Sequence, residues 1–168
     1  MKTLMIAALG AALVLSSLGA GAQTTPAAAA PPPPAYGISI GFEAAKKAIA
    51  AAEAEAKKNN WPVAIAIVDT GGHLVAFSKL DGTQNASVGI AIGKATTANN
   101  FKRPTKALQD AIAQGGANLR LLAVKDVTPL EGGVPIVVDG KIIGAIGASG
   151  VMANQDAEVA MAGANAVK

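Results

Sequence analysis

Cysteine is absent from this 168-residue chain, and histidine occurs once, as His73. The first absence excludes disulfides and thiol chemistry together. The second leaves too few ligands for a four-coordinate zinc site within one subunit. A serine hydrolase built on His73 lacks its G-x-S-x-G turn. Gly144, Gly147 and Gly150 fall at intervals of three, which is not the G-x-G-x-x-G of a nucleotide loop. Aromatics are scarce as well: three Phe, one Tyr and one Trp, against a hydrophobic content of 51% in which alanine holds the largest share. Such a core relies on close approach of backbones rather than on large side chains, and further burial by self-association would help it. Charge is thin too, with 15% charged residues and a net +3, and no basic stripe is concentrated enough to mark a nucleic-acid surface.

What is present begins with an export signal. Met1-Lys2-Thr3 carries one side-chain charge, Leu4 to Leu15 is apolar, and Ser16 to Ala22 ends in an A-x-A cleavage site. A membrane-spanning helix needs about 20 strongly apolar residues, and this run weakens into Ser and Gly too early. Residues 1–22 therefore read as a signal peptide, which predicts a periplasmic or secreted protein. Residues 23–35, with Pro26 and Pro31-Pro32-Pro33-Pro34, read as an extended tether, because proline cannot donate the hydrogen bonds of helix or sheet. Residues 36–168 are then one domain.

Within that domain Ala44, Ala45, Ala48, Ile49, Ala52 and Ala56 recur at helical spacing, predicting a first helix over 39–60 with Ser39 as N-cap and Asn59-Asn60 as its stop. Val63 to Asp69 and His73 to Lys79, joined by Thr70-Gly71-Gly72, read as an antiparallel hairpin. Val88, Ala91, Ala95 and Ala98 predict a second helix over 86–100, and Pro104 separates it from a third ending at Gly115-Gly116; both are expected on one side of the sheet. Asp139-Gly140 between two apolar runs predicts a second hairpin, and a last helix spans 154–167. The order α, hairpin, α, α, hairpin, α argues for an α/β domain with an antiparallel sheet and flanking helices.

Two places hold candidate chemistry. His73, at a strand start after two glycines, is placed to ligate a metal, bind a substrate or bond a backbone carbonyl. Lys94 to Lys106 gathers Lys94, Lys102, Arg103 and Lys106 with Phe101 around a helix end. That cluster reads either as a complement to the helix dipole or as a basic rim for carboxylates with Phe101 as an apolar wall. Thr96 and Thr97, inside the helix, would by default bond back to carbonyls one turn earlier. Asp69, Asp81, Glu131 and Asp139 adjoin turns, where carboxylates bond local backbone, and no general acid/base pair is assigned from them. The functional reading needs a slot between the small residues of the sheet and its covering helices, edged with positive charge and open to a planar anion.

Trp61-Pro62-Val63-Ala64-Ile65-Ala66-Ile67-Val68-Asp69-Thr70-Gly71-Gly72-His73-Leu74-Val75-Ala76-Phe77, Leu80-Asp81-Gly82, Lys94-Ala95-Thr96-Thr97-Ala98, Arg103-Pro104-Thr105, Glu131-Gly132-Gly133-Val134-Pro135-Ile136-Val137 and Gly144 to Gly150 together resemble the GlcG/HbpS family, which includes the carboxy-terminal domain of PduO proteins. The resemblance implies a profilin-like three-layer α/β/α domain with a five-stranded antiparallel sheet, assembled into a homo-oligomer such as an octamer. It implies haem as cofactor, a role as haem carrier or sensor rather than enzyme, and, for HbpS-like members, signalling to a membrane sensor kinase. The K-A-x-T-A pattern maps an axial contact to haem iron onto Thr97, whereas PduO-type domains use a histidine, for which His73 is the only candidate. Lys94, Lys102, Arg103 and Lys106 would meet the propionates. The G-G-H-L form of the hairpin resembles GlcG more than HbpS. Two other function classes compete: an enzyme acting on haem or a small carboxylate, and an oligomeric scaffold without ligand.

Overall fold

The computed structural model describes residues 31–168; the expected signal peptide and most of the expected tether lie outside the described residues. Helix α1 (Phe42–Lys58) leads into strands β1 (Ala64–Asp69) and β2 (Leu74–Lys79), helices α2 (Ala86–Phe101) and α3 (Lys106–Gln114), a 3-10 helix (Gly116–Ala123), strands β3 (Gly133–Val138) and β4 (Lys141–Ser149), and helix α4 (Ala153–Asn165). All strand pairs are antiparallel, in the order β2-β1-β4-β3.

Both hairpins form where the turn chemistry predicts. Asp139 and Gly140 both take positive φ, 49° and 71°, the left-handed pair a two-residue hairpin turn demands. Strand β1 is fully buried through Val68, as its unbroken apolar run implies. Its alternate residues face two different layers: Ile65 and Ile67 pack towards α1 and α4, while Ala64, Ala66 and Val68 pack towards α2. Strand β4 repeats the division, with Ile146 and Ala148 on the α1/α4 side and Ala145 on the α2 side. The bulky isoleucines are thus segregated on one face, and the other is closed almost entirely with alanine.

Among the described residues the sheet has four strands, not the expected five. Residues 35–40 do approach β4, through Ile142 N–H to Ala35 O (2.9 Å), Gly37 N–H to Ile142 O and Ile40 N–H to Ile143 O (both 2.7 Å), but they make only an isolated parallel bridge at Tyr36. The reason is space along the edge: β1 pairs with β4 from Gly144 onward, which leaves the incoming segment no further partner. The same contacts delay α1. Its N-cap is Gly41 rather than Ser39, whose hydroxyl instead meets that of Thr70. Helix α3 also departs from expectation, because it packs against the 3-10 helix and not on the sheet.

Candidate functional site

Helix α2 lies against the sheet with no slot beneath it. A Cβ at Gly147 would stand 2.6 Å from Ala95 N and closer still to Ala91 O, and one at Gly133 would meet Lys94 and Thr105. Main chain touches main chain there, so the expected planar opening between helix and sheet is closed within one subunit. Thr97 is 1% exposed, and its Oγ1 accepts a 2.8 Å hydrogen bond from Thr128 N–H. A hydroxyl so placed does not fit an axial contact to haem iron in this arrangement.

His73 is placed very differently. Its side chain is 82% exposed at the tip of the β1–β2 hairpin, with Nδ1 3.4 Å from Asp69 Oδ1. Asp69 builds the turn: its Oδ1 accepts from Gly71 N–H (2.8 Å) and His73 N–H (2.9 Å), and these bonds, the one from His73 first, hold its carboxyl below the usual range. Among the described residues no hydrogen bond engages His73 Nε2, so the ring offers that nitrogen to a ligand.

The turn abuts the C-terminal end of α2. A Cβ on Gly72, whose φ is +81°, would lie 3.4 Å from Asn100 Oδ1 and 3.5 Å from Thr96 Cγ2. Asn99 Nδ2 donates to Thr70 O (3.1 Å), and Asn99 O accepts from the Tyr36 hydroxyl (2.7 Å). Lys102, left-handed at φ 54°, closes α2 and sets its Nζ over the Tyr36 ring, 4.3 Å from the centroid. Arg103 is exposed, its Nε bonded to Phe101 O, and Phe101 is half-buried. Contacts of Thr70 and Gly72 with Asn99, Asn100 and Thr96 thus bring the turn that carries His73 against the end of α2, which Lys102 and Arg103 follow in the chain. Asn99 Oδ1, buried and without a partner among the described residues, is an acceptor and so suits a donor rather than a carboxylate.

Lys94 and Lys106 stand apart from that surface. Lys94 is 2% exposed, with Nζ 2.7 Å from Asp156 Oδ2 and 3.0 Å from Ala148 O, so it forms no rim. Burial raises the Asp156 carboxyl, against the opposing pull of Lys94 and of the backbone N–H groups of Val151 and Gly150. Lys106 pairs with Asp110 (2.9 Å), faces Glu131 (4.0 Å), and lines an apolar cavity of about 240 Å³ with Gly132, Gly133 and Met161. That volume falls below the roughly 300 Å³ at which small-molecule sites begin. Grooves of about 510 Å³ beside Trp61 and 520 Å³ between α1 and β2 are lined by neither His73 nor Thr97. Sequence reading missed Asn99 and Asp156, whose partners Thr70 and Lys94 lie too far along the chain for any local pattern to betray them.

Residues 40–165 match the family described as Haem degrading protein HbpS-like. Protein GlcG of Escherichia coli is 46% identical over 101 residues, covering 60% of this chain and 74% of its own. A crystal structure of HbpS superposes with a TM-score of 0.73 at 31% identity, covering 79% of this chain and 92% of that one. A crystal structure of a PduOC:heme complex superposes at 0.71 with 28% identity, covering 78% and 96%.

Proposed function

The chain belongs to the HbpS-like family, and from that premise we propose that it binds haem on the surface shared by the β1–β2 turn and the end of α2, with His73 as iron ligand. The observation that carries the reading is the exposed imidazole beside Asp69, the carboxylate–histidine arrangement that metal-binding histidines use to fix the ring. Haem supplies a planar iron centre that takes such an axial nitrogen. Lys102 and Arg103 offer the positive charge its propionates call for. A haem-bound structure among the similar proteins supports the choice of ligand. Titration of the purified protein with hemin is expected to give a saturable Soret shift that His73→Ala abolishes. Unchanged spectra at tens of micromolar protein overturn the reading.

In the same proposal residues 1–22 direct export and are removed after Ala22, residues 23–35 form a tether, and the self-associated domain acts as a haem carrier in the periplasm or outside the cell. N-terminal sequencing of protein recovered from that compartment tests the processing step; a chain beginning at Met1 contradicts it.

A second reading, turnover of haem, draws on the description of the matched family. Hemin incubated with the protein and a reductant would then bleach to an open-chain product, and haem that stays intact removes this reading.

A further inference from the structure

We propose that residues 115–130 form a hinged cover over the outer face of α2, latched to it by Thr128 and able to open without unfolding the domain. No residue between Gly115 and Leu130 is buried, while Leu119 (48%), Leu122 (65%), Val124 (46%) and Leu130 (46%) are exposed. Burial of apolar side chains is what normally anchors a segment of this length, and here it is partial: Leu121, Val127 and Pro129 are half-buried and none is fully enclosed. Among the described residues the one hydrogen bond tying 116–130 to the rest of the domain is Thr128 N–H to Thr97 Oγ1, at 2.8 Å. The segment starts at Gly115 and Gly116, both with positive φ (72° and 60°), a backbone that glycine adopts without strain and can change cheaply.

Beneath the cover α2 presents Gly93 and Thr97, one helical turn apart. A Cβ at Gly93 would stand 3.2 Å from Thr128 Cβ and closer to its hydroxyl, so glycine at 93 is what lets the cover seat. Opening breaks one hydrogen bond and exposes a buried hydroxyl on a flat strip of helix. The opening itself is independent of any ligand.

The cysteine-free background makes the test clean. Cβ atoms 3.2 Å apart lie a few tenths of an ångström inside the roughly 3.5–4.5 Å of a disulfide, so Gly93→Cys/Thr128→Cys should oxidise to a clamp. By hydrogen exchange, the amides of 117–128 in the unmodified chain are expected to exchange about 100-fold faster than the buried half of α2. The clamp slows them to the rate of α2, and reduction restores them. Thr97→Val, which removes only the latch acceptor, should speed exchange at Thr128 about fivefold, the loss of one ordinary hydrogen bond. Equal protection of 117–128 and α2 before clamping overturns the cover. Fast exchange of 117–128 that persists in the oxidised clamp overturns the latch at Thr128.

Discussion

Lys94 and Asp156 meet across the end of the sheet, joining α2 on one face to α4 on the other through a 2.7 Å ion pair in which both side chains are at most 4% exposed. Lys94 Nζ also caps Ala148 O at the point where β3 leaves β4. A buried pair of this kind adds little net stability over an apolar substitute, but removing one partner strands the other charge.

Lys94→Met is therefore expected to cost about 3–5 kcal/mol in chemical denaturation, and Lys94→Met/Asp156→Leu to recover most of that loss. The pH dependence follows from the raised Asp156 carboxyl. Its folded state prefers the protonated form, so the associated stability is complete below the unfolded carboxylate range and is lost as pH rises through the folded value. Losing Lys94 widens that window upward. Denaturation of Lys94→Met from pH 4 to 8 should show a steeper decline than the unmodified chain, and parallel curves would contradict the assignment.

Asp69 acts in the opposite sense. Its lowered carboxyl contributes stability that is present above the unfolded range and disappears as pH falls through the folded value. Asp69→Ala should cost about 1–2 kcal/mol, the loss of two backbone hydrogen bonds at a half-exposed turn, and flatten the acid limb of stability against pH.

Two glycines in one neighbourhood predict opposite outcomes. Gly147→Ala forces a methyl group into the backbone of α2 and is expected to destabilise by about 3 kcal/mol or to prevent folding. Gly89→Ala, with nothing within 4 Å on the exposed side of that helix, should stabilise by about 0.5–1 kcal/mol. Thermal melts of the pair decide the matter, and equal shifts would show that helix and sheet are not in the contact described.

Tyr36→Phe removes the hydroxyl bond to Asn99 O while keeping the ring under Lys102. The expected cost is about 1 kcal/mol. Because Tyr36 is the only tyrosine, its phenol can be followed alone by absorbance in the unmodified chain, and desolvation places its ionisation above the ordinary value. An unshifted titration would mean the segment around Tyr36 is not seated.

The secondary structure was largely readable because its signals are local: apolar runs bounded by Gly72, Asp139-Gly140 and Pro104 are complete within a few residues. The start of α1 was not, since Ser39 is drawn off by Thr70 from a distant turn and the helix waits for Phe42. The fifth strand failed for the same kind of reason, because only the pairing of β1 with β4 decides how much edge remains. In the candidate site, the lone His73 stood out by its rarity, and the structure leaves it exposed. The basic cluster looked uniform in sequence, yet burial separates Lys94 from Lys102 and Arg103, and no periodicity within 94–106 encodes the Asp156 that draws Lys94 inward. Alanine and glycine suggested a slot, whereas their small size brings α2 down until none is left.

The docking of Tyr36 against Asn99 and Lys102 holds the start of the domain beside the end of α2, against which the hairpin turn of His73 also rests. A purification handle or fusion partner joined directly before Tyr36 would crowd that region and interfere with uptake of a ligand there. The chain's other terminus follows α4, in the layer on the far face of the sheet, so labels and surface attachment belong there.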